Sequence, residues 1–289
     1  MARCVVFGAS GQIGRFLLPA LAAAGHEVLA ISRQPRDAGH GVHWREGNLD
    51  TGVPALGAPE VLFSLGPLDA FARWFERGPE LRPRRIIAFG SMSIDSKRGS
   101  ADAAERELVD RLQAAEATLA TAAAARGAQL TLFRPTLIYG AGLDRSLAPI
   151  ARFACRWRVF PLLPAASGLR QPVHAEDLAG ACMAVLDLPQ AFGRTYALGG
   201  GERLGFAAML ERLRAALPVR TLPLPLPLGL LRRGLRAGAA LGLPSAGEAA
   251  LARLRLDLVA DHSAAVADFG WAPRPFRPAP AGWQVPPPR

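Results

Sequence analysis

The sequence predicts an α/β fold, a doubly wound parallel sheet with helices on both faces. Three observations carry this. Short runs of Val, Ile, Leu and Phe, bounded by Gly or Pro, alternate with helix-length segments through residues 1–200. The first of these runs, Val5-Val6-Phe7, leads into Gly8, Gly11 and Gly14 and then into a helical pattern. The chain has 289 residues, half of them hydrophobic, enough for one large α/β domain or for a core domain plus a smaller lobe.

Val5–Phe7 read as a buried strand and Leu17–Ala24 as the first helix, closed by Gly25. Between them, Gly8 permits a tight turn, Gly11 a close backbone approach, and Gly14 tight packing of helix on strand. With Ser10, Gln12 and Ile13, these glycines aim the N–H groups and positive dipole end of the helix at a pyrophosphate, so the loop is read as a dinucleotide site. Glu27–Ile31 form the second strand. An acidic residue just past it would accept hydrogen bonds from ribose hydroxyls and favour NAD; Ser32-Arg33 stand there instead. Arg33 suits a 2′-phosphate, so NADP is favoured and NAD remains the alternative.

His43–Asp50 read as a short strand running into a turn, Val61–Leu65 as a fourth strand ending at Gly66-Pro67, and Phe71–Phe75 as the start of a helix. Arg85–Phe89 give a fifth strand followed by Gly90-Ser91-Met92-Ser93, Asp102–Arg126 a long Ala-rich helix, and Gln129–Phe133 a sixth strand. Right-handed crossovers place the carboxyl ends together, with Gly8–Gly14, Ser32-Arg33, Asn48-Leu49, Gly66 and Ser91–Ser93 around one cleft.

Arg134-Pro135-Thr136-Leu137-Ile138-Tyr139-Gly140 and Pro172-Val173-His174-Ala175-Glu176-Asp177-Leu178-Ala179 resemble two motifs of the extended and atypical short-chain dehydrogenase/reductases, the NAD-dependent epimerase/dehydratase group. With the glycine loop, the resemblance covers most of residues 1–200. It implies a Rossmann unit (1–142 and 171–200) and a substrate lobe with a C-terminal strap (143–170 and 201–289). It further implies that Asn48-Leu49 lie near the adenine, where the family usually has Asp-Leu. Pro135, Thr136 and Tyr139 would line the nicotinamide side, and Arg170 resembles a position that meets a substrate phosphate. His174 would lie beside the substrate, although the residues themselves read as a loop-holding His with Asp177 helping to cap the following helix. Many relatives dimerise through the long helix, which leaves a homodimer open.

The family's usual engine is a Tyr-x-x-x-Lys pair. Here Tyr139 and Tyr196 are the only tyrosines and Lys97 the only lysine, so no such pair exists; alignment on Ala114-Ala115-Glu116 puts Leu108 and Leu112 at the two positions, expected to face the core. Ser91, Ser93 and Lys97, following the fifth strand, become the catalytic candidates, with Lys97 activating a hydroxyl if the segment, which reads as a loop, lets them meet. Two functions follow: an NADP(H)-binding oxidoreductase or epimerase/dehydratase-like enzyme acting on a small molecule, or a dinucleotide-binding sensor or assembly factor without turnover. The wider group includes such a member, an accessory subunit of respiratory complex I.

Arg145, Arg152, Arg156 and Arg158 suit either an anionic substrate or a solvated face. Leu222–Leu228 alternate Leu and Pro and read as an extended segment; with Leu230–Leu243 behind it, 222–243 is the stretch where membrane contact would occur, and a third function, a membrane-peripheral scaffold, would work through it. Leu256–Phe269 resemble a closing helix, and the Pro-rich tail from Pro273 an extended strap. The net charge is +10, but the arginines read as dispersed, with short clusters at Arg82-Arg84-Arg85 and Arg232-Arg233-Arg236 and no aromatic-interleaved stripe, so nucleic acid is not expected. His26, His40, His43 and His262 form no metal-binding set with His174. Three separated cysteines, no spanning run and no signal-peptide pattern predict a cytoplasmic protein.

Overall fold

Seven parallel strands form the centre of the computed structural model, which describes residues 1–36, 39, 41–78, 80–227, 229–230, 232–233 and 251–279. In chain order the elements are β1 (Arg3–Phe7), α1 (Gly14–Ala23), β2 (Glu27–Ser32), β3 (Val42–Glu46), β4 (Val61–Ser64), α2 (Leu68–Arg77), β5 (Arg85–Phe89), α3 (Ser93–Ser96), α4 (Ala103–Ala125), β6 (Gln129–Pro135) and β7 (Ile138–Tyr139). There follow α5 (Leu147–Trp157), β8 (Val159–Leu162), β9 (Leu169–Arg170), β10 (Val173–His174), α6 (Ala175–Val185), β11 (Arg194–Leu198), β12 (Leu204–Gly205), α7 (Phe206–Ala215), β13 (Leu222–Pro225) and α8 (Ser263–Phe269).

The large sheet runs β11-β6-β5-β4-β1-β2-β3, every pair parallel. Phe7 pairs with both Ile31 and Ser64, so the carboxyl ends of β1, β2 and β4 are level. The chain winds outward from β1 to β3, then returns to β4 and winds the other way. The reversal opens a crevice between the ends of β1 and β4, where ligands bind in such sheets. Both faces are covered: α1 and α6 belong to one apolar cluster and α2 and α4 to the other. Phe63, Ile87 and Phe133 lose all contact with water, each contributing about 1.5–3 kcal/mol of burial.

A third apolar cluster lies off the sheet, built from Tyr139, α5, Phe160, α7 and Phe276. Two-stranded ribbons frame it: β13 lies parallel to β8, and β12 antiparallel to β9.

Several expectations are corrected. Arg85, expected in a short basic cluster, is fully buried at the start of β5, where its guanidinium bonds to the carbonyls of Val185, Leu186 and Gln129 and to Thr131 Oγ1; burial pushes its pKa down to about 10. Leu108 and Leu112 are half-buried rather than core, because Val109, Ala115, Glu116 and Leu119 take the inward stripe of α4. The closing helix begins only at Ser263. Residues before it send their donors outward instead of along a helix: Leu258 N bonds to Leu169 O, Ala260 N to Gln171 Oε1, and Asp257 accepts from Leu169 N. Ser93–Ser96 are one helical turn rather than loop, with Lys97 at its end. Of the 222–243 stretch, residues 228, 231 and 234–243 lie outside the described residues, as do His40 and 280–289 of the Pro-rich tail. None of the described helices is long and apolar enough to cross a membrane.

Candidate functional site

The site is built on the turn from β1 into α1. Gly8 has φ +71°, and a Cβ there would lie 2.7 Å from Gly66 N and 2.8 Å from Leu65 C. Gly14 is tighter: its Cβ would fall 2.0 Å from Ala9 O. These two glycines are demanded by the protein's own packing. Gly11 differs, since a Cβ there would meet one atom, Gly8 O at 3.0 Å, and otherwise open space. The room above Gly11 is therefore room for something other than protein.

The end of α1 is equipped for an anion. Its N-cap, Ile13, offers no side-chain acceptor, and its first turn holds no acid. Gly11 N bonds back to Gly8 O at 2.9 Å, whereas the N–H groups of Gln12 and Ile13 donate to no acceptor among the described residues. Gln12 Oε1 and Ser64 Oγ are buried without a partner, one in the loop and the other at the carboxyl end of β4. Unpaired N–H donors and a positive dipole end beside an open crevice fit a dinucleotide pyrophosphate.

The other predicted positions lie along the same sheet edge. Ser32 Oγ accepts from Gln34 N at 3.3 Å, and Arg33 is exposed just beyond β2. A cavity of about 220 Å3 beside the loop is lined by Ser10, Arg15, Arg36 and Trp44 among others. The guanidinium of Arg36 lies 5.3 Å from the Trp44 ring centre. Arg36 was missed in the sequence, where only its spacing from Arg33 could have drawn notice. Asn48 and Gly52 exchange backbone hydrogen bonds of 2.7 and 2.8 Å, and Asn48 Oδ1 accepts from Asp50 N. The amide that stands for the family's usual Asp thus closes its own turn, and Leu49 packs on the core.

Beyond β5, Ser91 Oγ and Ser93 Oγ are 3.0 Å apart, and Met92 N bonds to Pro135 O, so this turn is stitched to the end of β6. Lys97 does not complete the pair. Its ammonium lies 3.5 Å from Glu105 Oε1 on α4, a carboxylate also held by Arg253 and by Ser100 Oγ. Burial, and then Arg253, lower the Lys97 pKa. The serine pair can donate a hydrogen bond to a substrate oxygen, but the one lysine is committed elsewhere. Thr136 Oγ1 bonds to Gln171 O, and Thr136 N to Leu198 O at 3.0 Å.

Three predicted residues turn inward. Tyr139 is buried in the lobe core, its hydroxyl donating to Pro275 O at 3.3 Å and accepting from Arg277 N at 3.2 Å; burial raises its pKa. Arg170 is buried, gives its Nη atoms to the carbonyls of Leu169, Leu256 and Arg253, and stacks on Phe206. It fastens the segment after residue 250 instead of presenting a free guanidinium to the cleft. His174 is itself the N-cap of α6, with Nδ1 accepting from Glu176 N at 3.2 Å. Asp177, expected to help with that cap, instead holds Arg274 through the latter's N at 3.0 Å and Nε at 2.8 Å.

Residues 4–54 match the family model described as the NAD dependent epimerase/dehydratase family. Two curated relatives match more of the chain. One is subunit 9 of the NADH dehydrogenase [ubiquinone] 1 alpha subcomplex, mitochondrial, of Arabidopsis thaliana, 28% identical over 216 residues covering 68% of this chain and 53% of the relative. The other is a UDP-glucose 4-epimerase of Vibrio cholerae, 25% identical over 114 residues covering 39% of this chain and 35% of the relative. The matches therefore span about half or less of those relatives' lengths. Among solved structures, MoeE5 in complex with UDP-glucuronic acid and NAD superposes with a TM-score of 0.71 at 16% identity, covering 97% of each chain. UDP-glucuronic acid 4-epimerase from Bacillus cereus, also with UDP-glucuronic acid and NAD, gives 0.70 at 11% identity over 95% of each. These structures share the fold, including the lobe.

Proposed function

We propose that this chain, which carries the glycine loop of the NAD dependent epimerase/dehydratase family on the fold of its solved epimerases, holds a nicotinamide dinucleotide across the β1/β4 crevice. In this reading it is an oxidoreductase or epimerase/dehydratase-like enzyme acting on a small molecule, and the nucleotide sugars bound by the structural neighbours set the first class to try. The observation that carries the reading is the open N-terminus of α1 under Gly11. Bound there, the cofactor supplies a hydride acceptor or donor. The chain's own residues would do the rest: Gln12 and Ile13 N–H meet the pyrophosphate, Leu49 packs the adenine side, and Ser91 and Ser93 present hydroxyls to a substrate oxygen.

NADP is favoured over NAD because Arg33 and Arg36 stand past β2 where an acid would otherwise take the ribose hydroxyls. The structural neighbours contain NAD, so the choice is tested directly: fluorescence titration should show NADPH bound more tightly than NADH, and Arg33→Asp should reverse the order. Equal affinities would remove the assignment.

A second reading, a dinucleotide-holding sensor or assembly factor, is favoured by one feature. The alignment on Ala114-Ala115-Glu116 puts Leu108 and Leu112 where the family's pair would stand, and Lys97 is tied to Glu105. Absence of NADPH oxidation across carbonyl compounds and nucleotide sugars, with tight binding retained, selects this reading; turnover abolished by a Ser91→Ala, Ser93→Ala double variant selects the enzyme.

A further inference from the structure

We propose that the C-terminal lobe docks on an anionic lipid bilayer through the face made by α5 and β13. The first observation is where apolar side chains stay in water. Phe153 (48% exposed) and Trp157 (60%) stand one turn apart on the outer side of α5. Leu222 (67%) and Leu224 (45%) are exposed on β13, with Leu230 (58%) just beyond. Leu222 N bonds to Arg158 O at 2.7 Å, so the strand begins one residue from Trp157 and the two sets form one patch. Among the described residues, the other exposed large apolar side chains, Met1, Leu143, Leu256 and Val266, stand singly along the chain.

The second observation is charge. Between Asp144 and Glu176 the sequence has five arginines and no acid; between Glu211 and Glu248 it has six arginines and no acid. Those eleven arginines match the whole net charge of +10, so the remainder of the chain is close to neutral. The arginines are spread along the chain, as the sequence reads, but the charge left unbalanced by acids is concentrated in these two stretches. On α5, Arg152 and Arg156 alternate with the exposed aromatics, and the Arg156 guanidinium lies 5.4 Å from the Trp157 ring centre. Arg220, two residues before β13, is exposed. Asp144 is buried and occupied, accepting the N–H groups of Ser146, Leu147 and Ala148 at the start of α5.

The third observation excludes a rival occupant. Leu222 N and Leu226 N point into the β8 ribbon, so by the two-residue period Pro223 and Pro225 sit at the positions facing outward. The outer edge of β13 then lacks N–H donors and cannot accept an added strand. A short helix end with Trp and Phe between arginines, next to an exposed leucine edge, matches the interfacial zone of a bilayer: rings at the headgroup level, guanidinium groups on lipid phosphates.

The test is co-sedimentation of the full chain with phosphatidylcholine vesicles, with and without phosphatidylserine. Binding is expected only with phosphatidylserine and should weaken as salt rises. Each arginine lost from the face should weaken partitioning about fivefold, so Arg152→Glu with Arg156→Glu should abolish it. Phe153→Ser with Trp157→Ser should weaken it at least about tenfold, while Arg77→Glu with Arg111→Glu, the same charge change on α2 and α4, should leave it unchanged. Brominated phosphatidylserine should quench tryptophan fluorescence in the unaltered protein, a readout that needs no variant to fold. Equal binding to neutral vesicles, equal loss in the α2/α4 control, absence of quenching, or a salt-resistant dimer that the Trp157 variant dissolves would each overturn the proposal.

Discussion

Helices α1 and α6 pack side by side and begin beside one another, with Phe16 and His174 ring centres 5.5 Å apart. Their N-termini have opposite fates. That of α6 is closed: His174 caps it, Glu176 and Asp177 lie in its first turn, and Arg274 from the C-terminal strap binds both acids. That of α1 has no side-chain cap, no acid and, among the described residues, no partner for two N–H groups. Every helix start carries the same backbone dipole and the same orphan donors. What separates a structural end from a ligand site is whether the protein completes it. Of these two ends, His174 belongs to the completed one, and the glycine loop starts the open one.

Substitutions can break this contrast at either end. The largest effect is expected at Gly14. An alanine Cβ would collide with Ala9 backbone at 2.0 Å, so Gly14→Ala should cost about 4 kcal/mol or more, or prevent folding, in urea denaturation. Gly11→Ala sharpens the contrast, because it should change stability by less than about 1 kcal/mol yet lower dinucleotide affinity at least about tenfold. At the closed end, Asp177→Ala should cost about 1 kcal/mol, the scale of a partly exposed charged hydrogen-bond pair, and speed proteolysis after residue 270 without changing dinucleotide affinity.

The smallest effect concerns pH. Burial, and then Arg274, hold the His174 pKa below its ordinary value, about 6.5 for a free imidazole. The cap needs Nδ1 unprotonated. Its contribution is therefore complete above the unfolded value and lost as pH falls through the lower folded value. His174→Asn keeps a capping acceptor, so denaturation midpoints of the variant should fall less than those of the unaltered protein between neutral and mildly acidic pH.

The parts of this molecule legible in sequence are those written in short range. A buried strand, three glycines at fixed spacing and a helix are contiguous, so the loop and the parallel sheet could be read directly. What escaped reading depends on partners far along the chain. Asp177 meets Arg274 across 97 residues; Arg85 is buried only because the carbonyls at Val185 and Leu186 close over it; Arg170 turns inward to carbonyls that arrive more than eighty positions later. Helix-forming pattern over 256–262 was overridden by donors drawn across to Leu169 and Gln171. The two acid-free stretches were present in the sequence, but only the structure sets Arg152 and Arg156 between the exposed rings of Phe153 and Trp157.

The central claim is that the open start of α1 holds a nicotinamide dinucleotide. Isothermal titration of NADPH and NADH into the unaltered chain and into Gly11→Ala tests it most directly. The expected result is saturable binding of NADPH, weaker binding of NADH, and at least about tenfold weaker binding of both in the variant, with unchanged melting temperature. Failure of both nucleotides to bind the unaltered chain, or binding indifferent to Gly11→Ala, would contradict it.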